Sequence, residues 1–300
     1  MSGRDIPQRK ARRRVSCCVP GRAKPVVLVA PIILYLVIIH LAPVLAHDDP
    51  PHAITEITLQ IEQDPNNPDL YLERGELYRI TSQWNLALAD FDRVAQLDPN
   101  HATIDFHRGR LLFEAGRFQP ARAVLDHFLS AHPTHTEGLI VRGRLLREIG
   151  RPLDAAADYT RALSLASNPT PVLFIERAET LAEAGEAYVG AAVQSLDEGT
   201  QRLGPLILLE SLAIDLEVKR QRYDAALARI DLVLNQVSRK EKWLTRRGEV
   251  LESAGRVEEA RVAYENALKA IEALPSRLRQ APASQELEAY LRARLERDRS

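Results

Sequence analysis

Cysteine occurs only at Cys17 and Cys18, so no residue after these can form a disulfide or a thiolate metal site. Aromatic residues make up 5% of the 300 residues against 45% hydrophobic residues in all, which suits helices packed through small aliphatic side chains. A basic excess is also missing from most of the chain. Residues 1 to 24 hold eight Lys and Arg and one acid, and residues 25 to 46 hold no charge. Of the 40 basic and 41 acidic residues, 32 and 40 therefore remain from His47 onward, a net charge of −8. A body of that charge repels phosphate backbones, which makes nucleic acid a poor candidate partner. There is no Gly-rich phosphate loop, no His-Glu-x-x-His, no Gly-x-Ser-x-Gly and no cysteine nucleophile, so catalysis has no candidate residue and no cofactor is implied.

What is present begins with the leader. "KPVVLVAPIILYLVIIHLAPVLAHDD" places about twenty apolar residues behind a basic block, the order of a secretory signal, with Val44 and Ala46 as small residues before a cut. About twenty residues also suffice to span a bilayer. Residues 1 to 46 are thus expected to be either a signal cleaved after Ala46 or a retained inner-membrane anchor. The basic side of the segment points the rest of the chain out of the cytoplasm, toward a periplasmic or other extracytoplasmic location. Thirty-four arginines against six lysines suit a bacterial, GC-rich source.

Past the leader the chain repeats itself. A small residue recurs at Gly75, Gly109, Gly143, Ala178, Ala213 and Gly248, in steps of 34 or 35 residues. Three places after each stands a large one: Tyr78, Leu112, Leu146, Leu181, Leu216 and Leu251. That spacing puts small and large residues on one helical face. Gly116, Gly150, Gly185 and Gly255 then offer turns, and second helices follow with Ala87, Ala121, Ala155 and Ala260, each four residues before Phe91, Leu125, Tyr159 and Tyr264. Pro99 and Pro133 close two of the units. Two helices joined by a short turn approach closely only where side chains are small, and the flanking gaps need large ones.

These residues resemble the tetratricopeptide repeat family over about residues 68 to 271, most fully in "LYLERGELYRITSQWNLALADFDRVAQLDPN" and "WLTRRGEVLESAGRVEEARVAYENALKAI". The resemblance implies an all-α solenoid, a right-handed superhelix of about six helix-turn-helix repeats at 68 to 272. A tail and capping helix occupy 47 to 67, with Ile54, Ile57 and Ile61 on one stripe. A linker and capping helix occupy 273 to 300, with Leu287, Tyr290, Leu291 and Leu295 on another. The middle departs from the pattern. After Gly185 the second helix fits only with a turn two residues longer, and the fifth unit has Lys219 to Arg222 where a turn glycine belongs. A buried Gln194 or Arg229 would contradict this register.

The resemblance also implies a non-enzymatic protein that binds another protein or peptide segment on its concave surface, lined by the first helix of each unit. The expected contact residues are Leu72, Phe106, Ile140 and Ile175 at equivalent places in four repeats, with Arg110, Arg144 and Arg147 beside them and Phe113 one turn on. An arginine margin suits acidic side chains or a free carboxylate. The lysine and asparagine clamp of some family members is not matched, because Leu72, Glu76, Phe106 and Arg110 stand in its first places. A cell-envelope scaffold is the leading expectation, with a periplasmic chaperone or an accessory subunit of an envelope enzyme or secretion system as the alternative.

Two residue sets invite other chemistry. His127, His132 and His135 are the best metal suspects, but they share no fixed face; His47, Asp48, Asp49 and His52 come into play only after cleavage at Ala46. The repeated Arg74, Arg108, Arg142, Arg177 and Arg247 suggest an anion ladder. Asp90 and Asp158, sixteen residues after Arg74 and Arg142, favour ion pairs within a unit instead.

Overall fold

The computed structural model describes residues 49–297, and among them it holds fifteen α-helices and no strand. The expected signal or anchor, Cys17, Cys18, His47 and Asp48 lie outside the described residues. Helix α1 (Pro50–Gln63) precedes six antiparallel pairs. These are α2 (Pro68–Ile80) with α3 (Trp84–Leu97), α4 (Ile104–Glu114) with α5 (Phe118–Ala131), and α6 (Thr136–Glu148) with α7 (Pro152–Leu165). They continue with α8 (Pro171–Glu183) and α9 (Val189–Leu203), α10 (Ile207–Lys219) and α11 (Tyr223–Leu234), and α12 (Glu241–Ser253) and α13 (Val257–Glu272). A single-turn α14 (Ser276–Arg279) links the last pair to α15 (Pro282–Arg297).

The close approach predicted from the small residues is present. A Cβ added to Gly75 would lie 2.5 Å from the Phe91 ring, one at Gly109 2.7 Å from Leu125, and one at Gly143 2.7 Å from the Tyr159 ring. The three large side chains are fully buried, so each first helix rests directly on the side chain that its partner supplies. The turns between paired helices repeat one hydrogen-bond pattern. Gly116 and Gly150 adopt φ of +72° and +73°, and the amide after each donates to a carbonyl five residues back, which closes the first helix.

Both expected irregularities appear. After Gly185 one turn of 3-10 helix, Glu186–Tyr188, supplies the extra residues, and Ala192, Leu196 and Gly199 are buried as the lengthened turn requires. Gln194 is exposed and Arg229 is half-buried. In the fifth unit the left-handed residue is Gln221, φ +58°, followed at the usual intervals by buried Ala226 and Ile230. Counting back from that turn corrects the small and large places of this unit from Ala213 and Leu216 to Ile214 and Glu217. Ala213 and Leu216 are also buried, because α10 is packed on both sides.

The core is a series of clusters along the stack. One covers α3 and α4, a second runs from Phe106 to Leu216, and a third from Ile214 to Leu291, with α10 contributing to the last two. Each unit buries its apolar stripe on its neighbours, as a solenoid must. At the ends Ile57 and Ile61 of α1 are buried, and Leu291 of α15 is fully buried with Leu287, Tyr290 and Leu295 packed beside it.

Candidate protein-binding face

The repeated arginine of the first helices belongs to the framework. Arg74 donates from Nε and Nη2 to the Asp90 carboxylate at 2.8 and 2.7 Å, and from Nη1 to Thr58 Oγ1 at 3.1 Å. Arg142 makes the same two-oxygen contact with Asp158 at 2.7 Å and reaches back to Asp126 at 3.0 Å. Asp90 and Asp158 are buried, and their hydrogen bonds raise the pKa of the two arginines. Arg108 pairs with Asp92 at 2.7 Å, Arg247 with Asp231, and Arg177 with Ser195 Oγ at 2.8 Å and Glu198 at 2.5 Å. These side chains therefore tie five of the six first helices, all but α10, to the second helix of the same unit, to the helix before that unit, or to both. Partners sixteen residues behind the arginine, Asp92, Asp126 and Asp231, went unnoticed in the sequence although their spacing is as regular as that of Asp90 and Asp158.

The histidines have local roles. His135 begins α6 and accepts the Gly138 amide on Nδ1 at 2.9 Å. His132 follows α5 with its ring 4.8 Å from that of Phe128, while the exposed His127 faces Asp105 at 3.1 Å. His52 lies exposed in the first turn of α1. Among the described residues no group of three or more His, Cys, Asp or Glu is placed to hold a metal ion.

The predicted contact residues fall on the first helices and meet different fates. Leu72, Phe113, Ile140 and Ile175 are half-buried and pack on the clusters below. Phe106 is only 3% exposed. Its ring lies 4.8 Å from that of His135 and 5.8 Å from that of Phe128, with the Arg110 guanidinium 5.2 Å above it, so it supports the face from beneath.

All three predicted arginines reach the face, and each meets acids of a neighbouring unit. Arg110 bridges Glu76 at 2.5 Å and Glu137 at 2.9 Å; Arg144 meets Glu176 at 2.8 Å; Arg147 meets Glu179 at 3.2 Å and Glu183. Burial opposes ionisation of Glu76, but its bonds to His107, Arg110 and Arg79 prevail and lower its pKa to about 2. Three of the junctions between units follow a rule. The residue one place after the small position of one unit meets the residue two places before it in the next, as in Glu76 with His107 at 2.7 Å, Arg144 with Glu176, and Asp215 with Arg246. The last pair obeys the rule only when Ile214 marks the small position of unit five. The arginine margin is thus neutralised within the chain, a pairing that depends on the offset between stacked units and was invisible in the sequence.

Two family models match the chain. One described as tetratricopeptide repeat covers residues 72–136 and 106–170, and one described as tetratricopeptide repeat-like domain covers 175–281. The chain belongs to the tetratricopeptide repeat family. No curated protein matches it. Among solved structures, the C-terminal part of a tetratricopeptide repeat-containing protein from Cytophaga hutchinsonii is similar at 14% identity and a TM-score of 0.61, over 76% of this chain and 96% of that one. A tetratricopeptide repeat protein from Parabacteroides merdae is similar at 17% identity and a TM-score of 0.49, over 81% and 93%. At these identities the likeness concerns the tetratricopeptide fold alone.

Proposed function

We propose that the chain is a non-catalytic protein–protein interaction scaffold that receives a segment of another protein on the face built by its first helices. The observation that carries this reading is the row Leu72, Ile140 and Ile175. These apolar side chains are half-buried at equivalent places of three units, on a face that also carries the paired charges of Arg110 and Arg144. Half-buried apolar residues among already satisfied polar groups are what an extended or helical segment covers on binding. The basic leader and apolar run favour an extracytoplasmic location, tethered or released. Among the described residues no helix is long and apolar enough to cross a membrane.

Affinity capture from native cells with the tagged full chain tests the reading. Ile140→Glu is expected to lose a protein that the wild type retains, while Leu153→Glu, at an exposed site on α7, keeps it. Retention by Ile140→Glu and Phe113→Glu alike would remove the reading.

A further inference from the structure

The ion-pair lattice of the first-helix face has one interruption. Charged pairs cross from α2 to α4 (Arg79 with Glu114 at 2.7 Å), from α4 to α6, from α6 to α8, from α10 to α12, and from α12 to α15 (Glu252 with Arg294 at 2.9 Å). Among the described residues none joins α8 itself to α10, although these helices touch; the one pair across this joint lies at its far end, where Lys219 of α10 meets Glu186 of the turn after α8 at 2.9 Å. Where the rule fails at the α4–α6 joint, with Val141 opposite Arg110, Glu137 takes the pairing role, but at the α8–α10 joint both places are apolar. Glu179 of α8 occupies the place held by Glu76, Arg144 and Asp215 elsewhere, but the residue due opposite it is Leu212.

At this joint the surface turns apolar. Val172 of α8 is 49% exposed and Leu208 of α10 is 56% exposed. They occupy the same place in successive units once unit five is counted from its turn, and Glu137, which pairs with Arg110, holds that place in unit three. Half-buried Ile175 and Leu212 continue the patch inward. The charged side chains of α8 and α10 that border it are acidic apart from Lys219 at the end of α10, which is taken up by Glu186: Glu179 and Glu183 pair toward α6, and Asp215 toward α12.

We propose that this apolar window between α8 and α10 is where the partner segment docks, and that the segment presents apolar side chains together with lysine or arginine. The inference rests on the scaffold reading and specifies its partner. It reverses the acidic partner suggested by Arg110, Arg144 and Arg147. Those guanidinium groups belong to α4 and α6, whereas the charges beside the window are mainly the carboxylates of Glu179, Glu183 and Asp215, whose side chains stay 42%, 49% and 55% exposed beside their partners and so favour an incoming cation. An apolar anchor entering the window buries Val172 and Leu208 without breaking any pair within the chain.

Two synthetic peptides sharing the same leucines at helical spacing, one carrying lysines and the other glutamates, test this against the full chain by fluorescence anisotropy. The lysine peptide is expected to bind about tenfold or more tightly than the glutamate peptide, and increasingly weakly as salt is added. Leu208→Ser and Val172→Ser, both at exposed positions that leave the core intact, are expected to weaken it about tenfold each. Equal or tighter binding of the glutamate peptide, undiminished binding by both serine variants, or no binding of either peptide overturns the proposal. Native capture separates this failure from that of the scaffold reading. A partner lost from Ile140→Glu but kept by Leu208→Ser and Val172→Ser leaves the scaffold standing and removes the window.

Discussion

Gly75→Ala is expected to destabilise the first repeat although alanine is the better helix former. In the interior of α2 the change alone would favour the fold by about 0.5–1 kcal/mol. The new methyl, however, would sit 2.5 and 2.8 Å from two carbons of the Phe91 ring and 3.3 Å from Asp90 Cβ. Phe91 is fully buried and Asp90 is held by Arg74, so neither yields without moving α3. Overpacking of this kind costs about 1–3 kcal/mol, and subtracting the helix gain leaves a net loss of about 0–2.5 kcal/mol. The chain has two tryptophans, Trp84 in α3 and Trp243 in α12, so urea unfolding followed by fluorescence in a Trp243→Phe background reports on the first repeat. Gly190→Ala serves as a control, because its added Cβ would meet only the end of the Arg220 side chain, at 3.5 Å, an ordinary contact. In a Phe91→Ala background the Gly75 change should become neutral or stabilising. A stabilised Gly75→Ala, or the same loss with and without the Phe91 ring, would refute the claim that contact with this glycine sets the helix spacing.

Ser82 and Gln221 adopt φ of +59° and +58° where other turns have glycine, so Ser82→Gly and Gln221→Gly should each raise stability by up to about 1 kcal/mol, read from melting temperature. Arg142→Ala strands the buried Asp158 carboxylate and should cost about 2–4 kcal/mol, allowing for partial solvent exposure. Arg108→Ala, at a more exposed pair, should cost about 0–1 kcal/mol; urea midpoints compare the two. Burial lowers the pKa of His135 from 6.5, with Glu137 acting against it and His132 and His107 with it. The unfolded chain then takes up this proton first as pH falls, so the His135 contribution is complete above about 6.5 and declines below it. His135→Asn, which keeps a cap acceptor, should remove that component from midpoints measured between pH 7.5 and 5.5. Glu76, lowered from 4.5 to about 2, contributes above 4.5 and loses that contribution as pH falls toward 2.

The parts of the fold legible in the sequence are those that one helix pair imposes by itself. Close approach admits only Gly or Ala at positions such as 75, 109 and 143, and an elongated turn after Gly185 follows from where Ala192 and Leu196 stand. Unit five was harder, because Ala213 matches the small position by count while Gln221, a residue with no glycine signature, carries the turn. The face was less legible still. Phe106 looks like its neighbours Leu72 and Ile140 in sequence, but the rings of Phe128 and His135 bury it. Whether Arg144 is free or clasped depends on how α6 is offset against α8, which no periodicity within one repeat reveals.

Site-specific photo-crosslinking in native cells tests the central claim most directly, with a benzophenone side chain placed at Ile140 or Leu208 on the first helices, or at exposed Leu86 or Leu153 on the second helices. Protein adducts of one discrete mass at Ile140 and Leu208, with none at Leu86 and Leu153, are the predicted result. Adducts confined to Leu86 and Leu153 would contradict it.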